Sequence, residues 1–288
     1  MISMRLLPAL FAAAALSIPA SADLLHFHGN LDGVQGPNPS GSTHTGTMSW
    51  LMDTNADTIL YTVDSTLPAL SNAHIHGPAN ENQNGPAMHA MSFPLPTTFT
   101  FFYDNGDENF IIAEQTYTNL HTQAFPGGEL RCQNLLTATV YCSGDGSAAA
   151  CPCNNAGPEG AGCLNTSGVG AKLAPFGSTS VATDDMSFHA TQLSPNAPAL
   201  LFNGLNIPGG GNGNPFGGGL LCVGGAIKRI GVKFADASGS ASWNGPLSTI
   251  GVWGAGDRRF FQVWYRDAAN QPCGGGFNFS NGLDITFN

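Results

Sequence analysis

The stretch NAHIHGPANENQNGPAMHA, Asn72 to Ala90, holds two histidines separated by one residue. In a β-strand successive side chains alternate between faces, so His74 and His76 project from the same side. His121, in YTNLHT, comes 45 residues after His76 and falls on a second strand-like run. Three imidazoles converging from two strands would suit zinc or copper, since both accept nitrogen ligands. The competing reading is structural, because an imidazole also hydrogen-bonds backbone groups and fastens loops to a sheet. His89 is a lesser candidate for a further ligand. His26 and His28 form a second His-x-His near the expected mature N-terminus, where copper could bind adventitiously; otherwise they belong to an ordinary first strand.

Other groups carry less. Glu129 and Arg131 project from one face at i and i+2 and are expected to form an internal ion pair. DNGDENF, Asp104 to Phe110, alternates oxygen ligands as a calcium loop does but lacks the full pattern, so it reads as an acidic turn. IPGGGNGNPFGGG has no Gly-Lys-Ser/Thr ending and no strand–helix context, which argues against a phosphate cradle. Trp243, Trp253, Trp264 and Tyr265 could stack on a sugar, although aromatics of this size more often fill a core. No Gly-x-Ser-x-Gly, His-Glu-x-x-His or nucleotide fingerprint occurs. The expectation is therefore a protein that is not an enzyme.

The elements that must place these residues are strands. Ile59, Tyr61 and Val63 alternate with Leu60, Thr62 and Asp64, the period of a half-buried strand. TGTMSWLMD, TTFTFFYD and LLTATVY read the same way, with TNAD as a turn between the first strand and the next. A short helical turn is expected around FIIAEQ. Beyond residue 141, MSFHATQL, ALLFNGL, AIKRIGVKFAD, SASWNG, RRFFQVWYRD and GLDITFN are each bounded by Gly, Pro, Asn or Asp. The predicted fold is all-β, as two antiparallel sandwich or Greek-key modules.

Residues 1–22 read as a secretory signal peptide, with a short apolar run and the small-x-small ending Ala20-Ser21-Ala22. No later stretch is apolar enough to span a bilayer. Charge and cysteines divide the remainder. Residues 23–133 hold eleven acids and one base, whereas 134–288 hold eight acids and seven bases. That asymmetry predicts a first module over 23–141 and a second over 142–288. The acidic balance argues against nucleic acid and anionic membranes as partners. The seven cysteines lie at 132, 142, 151, 153, 163, 222 and 273. In an oxidising compartment they read as disulfides, with Cys132 odd and Cys142, Cys151, Cys153, Cys163, Cys222 and Cys273 paired. Cys222 with Cys273 is the first guess, since each lies beside a Gly-rich turn; Cys132 with Cys142 is the alternative.

AHIHGPA, NGPAMHAMSFPLP and TYTNLHTQAFPGGELRCQ, with the opening FHGNLDGVQGPNPSGSTHTGTMSWLMD, resemble the chordin-type domain over residues 24–140. Cys132 stands where that family usually has Gly. The resemblance implies a β-fold outside the cytoplasm and implies no reaction. The His-x-His strand also resembles, locally, the copper strand of copper/zinc superoxide dismutase, without a bridging histidine or zinc loop. CSGDGS, CPCNN, GCLNTSG and the closing CGGGFNFSNGLDITF are similar to a C-terminal module of secreted bacterial proteins with no assigned activity. The function expected is a secreted or periplasmic, non-enzymatic binding or structural protein, with an unknown cell-surface or extracellular partner and no required cofactor. The alternative is a copper- or zinc-binding protein using His74, His76 and His121.

Overall fold

The computed structural model describes residues 24–267 and 273–288, so the expected signal peptide lies outside the described residues. The first half contributes β1 (Leu24–Leu31), β2 (Gly46–Asp53), β3 (Thr58–Ser65), β4 (Asn72–His76), β5 (Ala87–Ala90), β6 (Thr97–Phe102), α1 (Glu108–Ile112), β7 (Tyr117–His121), β8 (Leu130–Gln133) and β9 (Leu135–Tyr141). The second contributes β10 (Lys172–Phe176), β11 (Ser187–Thr191), β12 (Pro198–Gly204), β13 (Asn214–Phe216), β14 (Gly219–Leu221), β15 (Lys228–Phe234), β16 (Ala241–Trp243), α2 (Ser248–Gly251), β17 (Arg258–Arg266), β18 (Phe277–Phe279) and β19 (Gly282–Thr286). The protein is all-β with antiparallel pairing throughout.

Period-two alternation does what the sequence predicts. Met48, Trp50 and Met52 of β2 and Ile59, Tyr61 and Val63 of β3 are buried, while their neighbours point outward. The turn between them is held by Asp53 Oδ1, which accepts from the Asn55 and Ala56 amides at 2.9 Å.

The main sheet has ten strands, in the order β15-β12-β17-β19-β9-β1-β2-β3-β6 with β18 also on β17. β9, at the end of the first expected module, pairs with β1 on one side and β19 on the other. Two second layers pack on this sheet, β5-β4-β7-β8 and β10-β11-β16. Their cores use opposite faces. Leu25 and Phe27 point into a core with Trp50, Tyr61, Ile75 and Leu120. Leu24, Ala138 and Val140 point the other way, into a core with Phe188, Leu201, Trp243, Phe261, Tyr265 and Leu283.

Between β9 and β10 the chain has little regular structure and is stapled instead. The bridges are Cys142–Cys222, Cys151–Cys163 and Cys153–Cys273. The first guess, Cys222 with Cys273, is thus corrected. Cys222 follows β14, which lies against the end of β9 where Cys142 sits; Cys273 follows β17 and reaches Cys153. The alternative pairing of Cys132 with Cys142 is not formed either, because Cys132 is a free thiol inside the first core. Buried amides replace ladder bonds in this segment: Asn155 donates to the Leu164 and Gly218 carbonyls at 2.8 Å. The aromatics make no common platform, since Trp243, Trp253 and Tyr265 are core while Trp264 faces the opposite side.

Candidate metal centre

The site lies on the face of β4-β7-β8 turned away from the first core. Ala73 and Ile75 are drawn inward, which turns His74 and His76 outward. β7 lies beside β4, pairing Asn72 with His121, His74 with Asn119 and His76 with Tyr117. The register therefore brings His121 diagonally next to His74. One ligating nitrogen from each of His74, His76 and His121 lies within 4.8 Å of the others, and among the described residues this is the one such cluster of three.

Hydrogen bonds set two of the rings. His121 Nδ1 lies 2.9 Å from the Pro126 carbonyl, and His76 Nδ1 lies 3.0 Å from the Gly85 carbonyl. A carbonyl oxygen can only accept, so each Nδ1 carries the proton and each Nε2 of the neutral ring is an unprotonated lone pair, which on His121 accepts from His74 Nδ1. The Nε2 of His76 is buried and has no hydrogen-bond partner. His74 Nδ1 lies 3.2 Å from His121 Nε2. Ligand nitrogens about 2.0–2.1 Å from a tetrahedral ion stand about 3.3 Å apart, so this pair is already at the right spacing. The loop-fastening role and the metal role thus use different nitrogens of the same rings.

Electrostatics favour neutral imidazoles. Burial pushes His76 below the usual imidazole range; His74, His121 and Arg131 nearby push the same way, and the Gly85 carbonyl opposes. Burial also lowers His121, with His74 adding to it and the Pro126 carbonyl opposing.

Beside the imidazoles opens a cavity of about 510 Å³, walled by the 32–40 and 124–129 loops. Tyr117 stacks on His76 at 4.8 Å between centroids, and the Arg131 guanidinium sits 3.7 Å from the Tyr117 ring centroid. The expected Glu129–Arg131 ion pair is not formed. Glu129 lies in the turn before β8, and its carboxylate accepts from Ser42 Oγ and Thr122 Oγ1 at 2.8 and 2.6 Å. Arg131 instead donates to the Asn80 carbonyl and Gln133 Oε1, both at 3.3 Å.

The other sequence candidates do not join the site. His89 pairs with Ile75, so it faces the opposite side and stacks on Phe101 at 3.8 Å. His28 Nε2 is bonded to Asn30 Oδ1, and His26 lies between Leu51 and Ala138. Asp104 starts a turn that leads into α1, its carbonyl accepting from the Asp107 amide at 2.7 Å. Tyr117 and Asn119 were legible as neighbours, four and two residues before His121 on the same strand face. The Gly85 and Pro126 carbonyls were not, since no side-chain pattern marks them.

Residues 15–133 match the family model of the CHRD domain. No curated protein matches the chain. Among solved structures, a crystal structure of a tetra-tandem repeat in the extending region of a large adhesion protein overlaps 93% of this chain and 68% of that chain, at 7% identity and a TM-score of 0.26. An overlap at that score carries no argument about the fold.

Proposed function

We propose, from the premise that this chain carries a CHRD domain over residues 15–133, that it is a non-enzymatic binding protein of the extracytoplasmic space, whose CHRD domain holds one copper or zinc ion on His74, His76 and His121. The observation that carries this is the buried Nε2 of His76, which has no hydrogen-bond partner, on a ring that clusters with two further imidazoles. A buried acceptor without a partner costs about 1–3 kcal/mol, which a ligand at this point would recover. His76 and His121 are held in the ligating tautomer by main-chain carbonyls, and His74 completes the set by a small ring movement. The cavity at Tyr117 and Arg131 leaves room for a further ligand or a partner group. The location is supported by three disulfides, which persist in oxidising compartments. The described residues contain no helix long and apolar enough to cross a membrane.

The test is elemental analysis of the purified protein after mild dialysis, for wild type and His76→Ala. Near-stoichiometric copper or zinc in the wild type, lost in a variant that keeps its circular dichroism, is the expected result. A metal-free wild type that also takes up neither ion on titration, with only a lower Tm in the variant, would make the imidazoles loop fasteners. The function would then be partner binding or structure alone.

A further inference from the structure

The opposite-face placement of the two cores leaves part of one sheet face exposed in each half, toward the edge strands β6 and β15, and the two exposed parts differ in charge. In the first half, the face opposite Ile59, Tyr61 and Val63 carries Leu60 and Phe102, which are 41% and 80% exposed. Cross-strand register sets Asp53, Thr58 and Phe102 in one row, with Asp64 farther along the same face of β3. Asp104, also exposed, lies just past the end of β6. This is an apolar patch ringed by carboxylates.

In the second half, the face opposite Phe261 and Tyr265 carries Trp264, Leu200 and Val232 in one cross-strand row. Phe234 lies two residues on, and Val232 and Phe234 are 59% and 71% exposed. The row forms one wall of an open groove of about 620 Å³, with Phe216, Ile227 and Arg229 also lining it. Arg229, paired with Phe202, lies on this groove face, as does Arg266, two residues past Trp264 on β17; Lys228 and Lys233, paired with Asn203 and Ala199, point to the other face of the terminal strand β15. Among the described residues the two ion pairs use other arginines, Arg258 and Arg259, so no described carboxylate forms an ion pair with Arg229 or Arg266.

Exposed apolar patches rimmed by charge are characteristic of interaction surfaces. We infer that the partner for each patch is the other patch on a second copy of this chain. The acidic patch sits at the β6 end of the ten-stranded sheet and the basic one at the β15 end, on opposite faces. One copy can therefore step onto the next without its second layer standing in the way. Acid-to-acid and base-to-base contacts are repelled, which selects the head-to-tail arrangement. Such a heterologous contact does not close on itself when the two patches point in opposite directions, so the product is an open chain of molecules. The inference is independent of the metal centre, which faces neither patch.

The experiment is sedimentation velocity on the disulfide-intact protein, across its soluble concentration range at low and high salt. Two exposed substitutions each block one patch: Phe102→Lys and Val232→Glu. The wild type is expected to form species of at least twice the monomer mass, weakened by salt because the rim charges are screened. Each variant alone is expected to stay monomeric. Mixing the two is expected to restore assembly, because an intact acidic patch then meets an intact basic one. A wild type that is monomeric throughout, a variant that assembles like wild type, or a mixture that stays monomeric would each overturn the proposal.

Discussion

His76 has one nitrogen committed to the Gly85 carbonyl and one with nothing to bond, and that division makes a single side chain both a brace and a candidate ligand. Protons compete for the same lone pair, so ion binding should weaken as pH falls through the lowered values of His76 and His121. Titration with copper or zinc at descending pH checks this. Cys132 lies at the other extreme of reactivity. Burial pushes its thiol up to about 12, and it is enclosed in the first core. A thiol reagent should find no reactive cysteine in the native protein and one after denaturation without reductant. His26, enclosed between β2 and β9, has its pKa lowered from 6.5 to about 4 by loss of solvent. The unfolded chain then binds more protons than the folded one between those values. The stabilisation is full above pH 6.5 and is lost as pH falls toward 4, and a shift of this size corresponds to roughly 3 kcal/mol. Thermal melts over that range should show the loss, and His26→Leu should flatten part of the slope.

At the scale of elements, the turn between β7 and β8 sets the position of the Pro126 carbonyl and hence the His121 ring. Gly128 has φ of +118°, and a Cβ there would lie 2.1 Å from Asn119 Oδ1. Gly127, its neighbour, has open space around the same position. Gly128→Ala should therefore cost about 1–3 kcal/mol and weaken ion binding through His121, whereas Gly127→Ala should do little. Urea unfolding and metal titration of the pair would separate the two. The strands themselves were largely legible, because alternation between adjacent residues is a local property. TILYTVDS, LLTATVY and RRFFQVWYR all form where their periodicity places them. The helical turn expected around FIIAEQ forms slightly earlier, at Glu108–Ile112. β10, with Pro175 inside it, escaped notice because proline argues against a strand; it is an edge strand, where a missing amide is tolerated.

At the scale of the whole molecule, β19 ties the two halves together by pairing with β9 and with β17. Leu283, in β19, pairs with both Val140 and Phe261 and is fully buried. Leu283→Ala should cost about 2–5 kcal/mol. We propose that the halves expected from the charge asymmetry unfold together through this strand. Tryptophan probes in the first core (Trp50) and the second (Trp243) should then shift to the same lower midpoint in that variant. Two separate midpoints, with only the second one moved, would show that the modules fold independently.

What the sequence by itself determined was everything carried by neighbours along the chain. It set the all-β class, the shared face of His74 and His76, the resemblance to the chordin-type domain, and the clustering of acids before residue 133. What only the tertiary structure decided was everything that depends on which distant segments meet. The disulfide pairing, the placement of His121 beside His74 and the carbonyls that set the imidazole tautomers all follow from strand order and register. So does the separation of Glu129 from Arg131, two residues apart in sequence but drawn to different partners. The physical reason is that side-chain direction in a strand repeats every two residues and is written locally. The partner across the ladder is chosen by burial summed over the whole sheet.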